Sequence, residues 1–423
     1  MTDQVVDLMC NAAAVISIVL MAVCGVRLLL QFVRVLRGQD AADGAGGRRR
    51  RYAPGRELAM VFALALLSRV LVYLFAYAMH RAGGGTGGFF ETLRPLWSHW
   101  DTRHYIGIAE HGYVNTGDER LQIVFFPLFP MVMRLLSPLT GGSVFHAGML
   151  ASVLFGSGAA ALLYDLAYMH LDRRGAALSA AYFLLSPMSV FLNCCYTESL
   201  FIFLTLGAMC LLRRGRPWLA ALCGMGCALT RMPGVIVAGL MIIALLAKIP
   251  KRRFTARAAL ACAGQVLLVF AGLFIYWAIN YAVTGDPMRY MTYQRENWHQ
   301  RPGSFWYSVS NTVYYLTMGP LSADWFFSWF SQLIAMFFVF IMLAWGVGKL
   351  PFDLMAYSFV YTAVVLSPTW LLSGPRYLYA LVPLHMLKAA ASRKGWAHAL
   401  GLAVSAALLV LYIYGYAIAI EVL

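Results

Sequence analysis

Charge is what this sequence has least of. Only 12% of its 423 residues are Asp, Glu, Lys or Arg, about half the share in a soluble globular domain, so a water-solvated surface wrapped around one core is excluded. Acidic residues are scarcer still, 18 against 33 basic ones. In a soluble chain the resulting charge of +15 would suggest a nucleic-acid partner. Here 61% hydrophobic residues and a mean hydropathy of +0.69 point instead to membrane spans of about 20 residues each, and no nucleic acid is expected as a partner. Matched pairs of C-x-x-C are also missing. The eight cysteines (Cys10, Cys24, Cys194, Cys195, Cys210, Cys223, Cys227 and Cys262) fall in or beside apolar runs, which predicts free buried thiols with neither disulfides nor zinc. The opening MTDQVVDLMC lacks a basic signal-peptide region, so it is read as the start of a retained first span.

Apolar runs separated by short polar breaks predict an all-α polytopic membrane protein of about twelve transmembrane helices, with eleven to thirteen as the range. They lie near 9–36, 57–80, 144–169, 174–192, 196–213, 217–231, 233–249, 257–282, 323–347, 352–371, 376–391 and 396–420. If the basic linker 37–56 is cytoplasmic, alternation puts 20 Lys and Arg residues on its side and 10 on the other, with Arg27, Arg34 and Arg69 inside spans. That asymmetry makes the two long loops, 81–143 and 283–322, extracytoplasmic. An extra N-terminal helix and linker, 1–56, then precede a body at 57–423.

The long loops are where a membrane protein can place chemistry. In the first, Trp97 to Tyr113 has apolar residues at helical spacing (Trp97, Trp100, Tyr105, Ile108), which predicts an amphipathic surface helix starting at Asp101. Asp101, flanked by Arg103 and His104, has the surroundings of an ionised general base; an N-cap aspartate is the plainer alternative. FFPLFP at 125–130 carries two prolines and predicts a broken or re-entrant helix. Glu198 in NCCYTES sits at the edge between spans, where an acid has a partner or a function, either holding an acceptor hydroxyl or pairing with Arg231. Arg231 in LTRMPG has two candidate partners, Glu198 and a lipid phosphate, which its planar fork suits. In the second loop a Gly285-Asp286-Pro287 turn precedes Arg289, Gln294, Arg295 and Trp298, the cationic, amide and aromatic groups that a phosphate and a sugar need. Arg376 follows the Gly-Pro break of LLSGPRYLYALVPLH. Arg231, Arg289 and Arg376 thus project to one face, together with Asp101. His99, His104 and His111 read as interfacial imidazoles, so no metal is assigned, and no nucleotide-binding fingerprint or D-x-D appears in a usable context. No cofactor is expected.

The segments WSHWDTRHYIGIAEHGY, FFPLFPMVMRLL, NCCYTESLF, ALTRMPG, TGDPMRYMTYQRENW and SGPRYLYALVPL, in this order from Trp97 to His385, resemble the PIG-V family, the dolichyl-phosphate-mannose-dependent GPI mannosyltransferase II and its prokaryotic relatives, of the GT-C class. The resemblance implies a GT-C-like bundle that moves mannose from a polyprenyl-phosphate-mannose donor to an acceptor on the extracytoplasmic face of a plasma membrane. It implies Asp101 as base, because an acid of the first outer loop has that role in the class. The bet on the remaining residues is phosphate on Arg376, Arg231 and Arg289, sugar against Gln294 and Trp298, and Glu198 in support. The span 9–36 and its linker stand outside the resemblance. A lipid-linked sugar transporter or flippase is the rival reading, but such a protein would more naturally show paired half-sequences and broken helices near the midplane. A noncatalytic scaffold is a third.

The charge asymmetry makes a direct prediction. In a cysteine-free background, single cysteines at Thr116 and Ser304 should react with an impermeant thiol reagent from outside, whereas one at Gly46 should not; labelling of Thr116 from the cytoplasm alone would reverse the topology.

Overall fold

The computed structural model describes residues 2–39, 52–250 and 253–420, so the Arg48 to Arg51 stretch of the linker lies outside the described residues. The chain is helical throughout, and among the described residues the only β pairings are two isolated bridges. Eighteen α-helices follow one another among the described residues. The first half has α1 (Asp3–Leu36), α2 (Gly55–Ala82), α3 (Phe89–Trp97), α4 (Asp101–His111), α5 (Leu128–Leu136), α6 (Val144–His170), α7 (Arg173–Leu184), α8 (Glu198–Arg213) and α9 (Pro217–Thr230). The second has α10 (Val237–Leu246), α11 (Ala256–Thr284), α12 (Arg289–Asn297), α13 (Phe305–Met318), α14 (Ser331–Gly346), α15 (Phe352–Val365), α16 (Gly374–Tyr379), α17 (Val382–Ala390) and α18 (Gly395–Ala417).

Six stretches among the described residues are long and apolar enough to cross a membrane: α1, α2, α6, α11, α18, and α14 with the π-helical turn Trp325–Phe330 before it. The other runs expected to span are shorter helices interrupted by breaks. Proline accounts for the breaks, because the residue before it is pushed out of the α region. The chain leaves α7 at Leu184 ahead of Pro187, α9 at Thr230 ahead of Pro233, and α15 at Val365 ahead of Pro368. At FFPLFP the helical segments 118–124 and 128–140 meet at 108°, the sharp break that its prolines predict. In the stretch 97–113 a helix starts at Asp101 as expected: α3 ends at Trp97, Trp100 adopts φ 45°, and α4 begins at Asp101, so Trp97 and Trp100 lie outside it. One face of α4, with Thr102, Tyr105, Ile106, Ile108 and Ala109, is buried, while Arg103, Glu110 and His111 are exposed.

Charges form two layers at opposite ends of the bundle. At one end, Arg173 pairs with Glu57 (3.3 Å), Arg214 with the fully buried Asp165, and Arg213 with Asp353 (2.9 Å). Glu198 opens the 16-residue α8 and Arg213 closes it, so Glu198 belongs to the opposite end, about 22 Å along the helix axis.

The breaks are held by side chains reaching across from intact helices, as an unwound backbone inside a membrane body requires. Arg69 of α2, 1% exposed, donates to the carbonyls of Ser189 (2.7 Å) and Leu184 (2.9 Å). Asn193 returns a hydrogen bond to the Arg69 carbonyl (2.9 Å), and the Tyr73 hydroxyl donates to the Asn193 carbonyl (2.6 Å). At the break after α9, a Cβ on Gly234 would lie 2.2 Å from the carbonyl carbon of Cys227. The turn that presents Arg231 therefore closes only over glycine. Gly234→Ala should force the turn off the last turn of α9 and cost about 1–3 kcal/mol, the range for overpacking, read as a lowered unfolding temperature of the purified protein; unchanged stability would show that the turn is not so tightly seated.

Candidate active site

Three breaks converge at the end of the bundle opposite the Arg213 layer. The break after α7 delivers Glu198, the break after α9 delivers Arg231, and the break after α15 delivers Arg376 as the third residue of α16. Arg376 Nε lies 2.9 Å from Glu198 Oε1, and Arg231 Nη2 lies 2.8 Å from the same oxygen. Arg376 Nη2 donates to Asp101 Oδ2 at 3.0 Å. Arg376 thus bridges two carboxylates 97 positions apart in the chain, and the four formal charges cancel.

The two carboxylates differ in access. The Glu198 side chain is 1% exposed, whereas that of Asp101 is 28% exposed. Both contacts to Glu198 are close but off the hydrogen-bond axis, so neither Glu198 oxygen has an aligned donor, and Arg231 Nη1 has no acceptor. These unfilled capacities in a buried polar cluster are unusual and leave room for a ligand's polar atoms. Aromatic rings line the guanidiniums. Arg376 sits over Tyr196 (5.0 Å), Tyr377 (5.4 Å) and Phe191 (5.5 Å), and Arg231 over Tyr377 (5.0 Å), a geometry that favours a desolvated cation.

Asp101 is the first helical residue of α4, and no side chain caps that helix. The N-cap alternative therefore fails, and its carboxylate is turned to Arg376. One turn on, His104 stacks on Phe125 with centroids 4.6 Å apart, and Phe125 meets the Trp298 ring edge-on at 6.2 Å. Burial lowers the His104 pKa below its ordinary value; Asp101 opposes that shift and Arg103 adds to it. Burial thus favours the neutral imidazole beside the carboxylate.

Of the residues picked from sequence, the structure brings Asp101, Glu198, Arg231 and Arg376 into one ion-pair cluster, with His104 and Trp298 joined to its edge through Phe125. It does not bring Arg289 there. Arg289 pairs with Asp286 three residues earlier (3.6 Å) and lies over Tyr293 (5.9 Å). Gln294 is half-buried on α12 and Arg103 is exposed on α4, and neither enters the ion-pair cluster. Sequence reasoning passed over the aromatic bed of Phe191, Tyr196 and Tyr377. Two of its members sat inside quoted motifs, Tyr196 before Thr-Glu198 and Tyr377 after Arg376, and an aromatic beside an intramembrane charge was the available signal.

Residues 89–352 match the family described as Mannosyltransferase (PIG-V). The rat protein GPI alpha-1,6-mannosyltransferase 2 is 37% identical over 169 residues, 38% of this chain and 34% of its own. The human protein of the same name is 41% identical over 135 residues, 30% and 27% of the two chains. The matched region thus spans about a third of the length of these relatives. Among solved structures, ArnT from Cupriavidus metallidurans, bound to undecaprenyl phosphate, superposes over 87% of this chain and 77% of its own with a TM-score of 0.51 and 15% identity, a likeness of fold.

Removing one member of a buried ion cluster strands the others. Glu198→Gln should therefore destabilise the protein by about 3–5 kcal/mol. The double variant with Arg231→Gln, which keeps the remaining charges balanced, should recover part of that loss in thermal unfolding. An additive loss in the double variant would mean that Glu198 and Arg231 do not compensate each other.

Proposed function

This chain belongs to the PIG-V mannosyltransferase family, and on that premise we propose that it transfers a mannosyl unit from a polyprenyl-phosphate-mannose donor to an acceptor hydroxyl by a single inverting displacement. The observation that carries the reading is the Asp101–Arg376–Glu198 bridge: a partly open carboxylate beside a guanidinium that a second, buried carboxylate already holds. The leaving phosphate departs ionised and needs little protonation. The tasks left to the protein are to accept the acceptor's proton and to stabilise the phosphate as its charge develops. A phosphate oxygen arriving at the Arg376 fork competes with Asp101 for Nη2. Asp101, the more exposed acid, gives way and turns to the acceptor hydroxyl as base, while Glu198 stays as the fixed counter-ion of Arg376 and Arg231. The aromatic edge of His104, Phe125 and Trp298 offers a sugar face.

A cavity beside this site supports a lipid carrier. It measures about 230 Å³, is lined by Phe330, Ile334, Phe338, Pro375, Leu378 and Leu408, and reaches Pro375, the neighbour of Arg376. Its lining supports an isoprenoid chain lying next to its own phosphate, and the undecaprenyl phosphate bound to ArnT is a ligand of that class. The charge asymmetry of the loops supports an extracytoplasmic location for this end of the bundle. The acceptor is a hydroxyl compound of that compartment, a glycolipid, glycan or protein.

The test supplies purified protein with polyprenyl-phosphate-mannose or GDP-mannose and a panel of acceptors. The lipid donor alone should support transfer. Asp101→Asn should retain donor binding and lose about 10²-fold or more in turnover, the scale of a general base. Comparable transfer from GDP-mannose would overturn the donor assignment, and near-normal turnover of Asp101→Asn would remove that residue from the chemistry.

A further inference from the structure

Arg376 is held between two acids, so its backbone must be fixed as well as its side chain. The chain that leads to it, 366–373, runs outside any helix between α15 and α16. Its backbone groups have to find partners beyond the segment itself.

One buried side chain supplies most of them next to Arg376. Gln332, 1% exposed, is the second residue of α14, directly after the π-helical turn Trp325–Phe330. Such turns shift the register of the helix that follows, and they occur often at functional sites. The Gln332 amide nitrogen donates to the Leu371 carbonyl and to the Thr312 hydroxyl, both at 2.9 Å, and its oxygen accepts the Gly374 N–H at 2.9 Å. Thr312 in turn donates to the Ser308 carbonyl at 2.8 Å, which leaves its oxygen free to accept. Both donors and the acceptor of the amide are thereby used, and flipping it would break all three bonds. Farther back, Ser308 donates to the Pro368 carbonyl (2.6 Å) and Asn311 to the Thr369 carbonyl (2.9 Å). The fit is close: a Cβ on Gly374 would lie 2.7 Å from Gln332 Oε1.

We propose that Gln332 is a positioning residue for Arg376, fixing the turn Leu371–Gly374 so that the guanidinium meets Glu198 and Asp101 together. Gln332 contributes nothing to the ion-pair cluster directly. Its effect passes through the two backbone groups it binds, two and five residues before Arg376. Displacing a reacting group by about 1 Å is enough to lower a rate by up to about 10²-fold. The inference rests on the mannosyl-transfer reading for its kinetic consequence, and on geometry alone for its structural one.

The experiment has two arms. Hydrogen exchange of the purified protein is followed in peptides covering 368–380 for wild type, Gln332→Met and Gly374→Ala. Gly374→Ala keeps the amide but pushes on it, and it serves where Gln332→Met folds poorly. Exchange in this segment should rise about tenfold or more in both variants, with the rest of the bundle unmoved. In the second arm, turnover with polyprenyl-phosphate-mannose is measured for Gln332→Met, Arg376→Lys and the double variant. Each single change should lower turnover about tenfold or more, and the double variant should be little slower than Arg376→Lys alone, because the fork that Gln332 aims is already gone. A purely structural role would multiply the two losses. Unchanged exchange in both variants, or multiplicative losses, would overturn the proposal. Should wild type transfer mannose from neither donor, the proposed function fails, while the exchange arm and the affinity for polyprenyl phosphate, read over the same variants, still decide whether Gln332 aims Arg376.

Discussion

Burying the Glu198 carboxylate among apolar helices costs several kcal/mol in desolvation, and the two guanidiniums that offset it cannot come from the same helix. They come from chain breaks, where a side chain can leave the wall of one helix and reach the end of another. The site therefore depends on three Pro-encoded interruptions, before Glu198, at Arg231 and before Arg376. An uninterrupted bundle would present these charges to lipid or to separate cavities. The interruptions replace long spans with the short helices α7 to α10 and α15 to α17, and so the twelve expected spans resolve into six full-length ones and a set of shorter pieces.

Each interruption frees backbone groups that lipid cannot satisfy. The two longest are stapled in the same manner by unlike residues. Arg69 reaches from α2 to the carbonyls of the segment before Glu198, and Gln332 reaches from α14 to the segment before Arg376. An arginine suits the first because that segment offers carbonyl acceptors in several directions to a fork of donors. An amide suits the second because the segment offers one carbonyl and one N–H, a donor-acceptor pair that no charged side chain matches. The polarity of each staple follows from the backbone that its break exposes.

The fold class and four members of the ion cluster were legible in the sequence because their signals are local. Hydropathy marks spans, and a charge beside a Gly-Pro or Met-Pro-Gly break at a span edge marks a site. Asp101 was legible by its place in a polar loop and at the start of its helix, although Trp97 and Trp100 fall outside that helix, because Trp100 takes a positive φ that no spacing rule foretells. Arg289 looked like a third phosphate ligand by the same logic as Arg231, but Asp286 lies within three residues and claims it. The Gln332 staple was illegible. A lone glutamine in an apolar run carries no periodic signal, and its partners Thr312, Leu371 and Gly374 lie 20 to 42 positions away.

The two charged layers also constrain where a ligand can meet the site. α8, 16 residues from Glu198 to Arg213, separates the two by about 22 Å, against a hydrocarbon thickness of about 30 Å. Both layers cannot sit at the polar surfaces of an unperturbed bilayer, and any tilt of α8 shortens its projection further. Arg173 of the opposite layer, with 69% of its side chain exposed, can reach outward to an interface. The Glu198 layer differs in access: Arg173 and Arg214 of the other layer keep 69% and 32% of their side chains exposed, whereas Arg376 and Glu198 keep 7% and 1%. It is the layer that tolerates being recessed. A soluble substrate would have to descend to it, whereas the lipid-borne phosphate of the proposed function would start at nearly the right depth, beside the cavity that Pro375 helps to line. On the proposed function, recession of the cluster is thus a physical reason for a lipid-borne donor rather than a nucleotide-linked one.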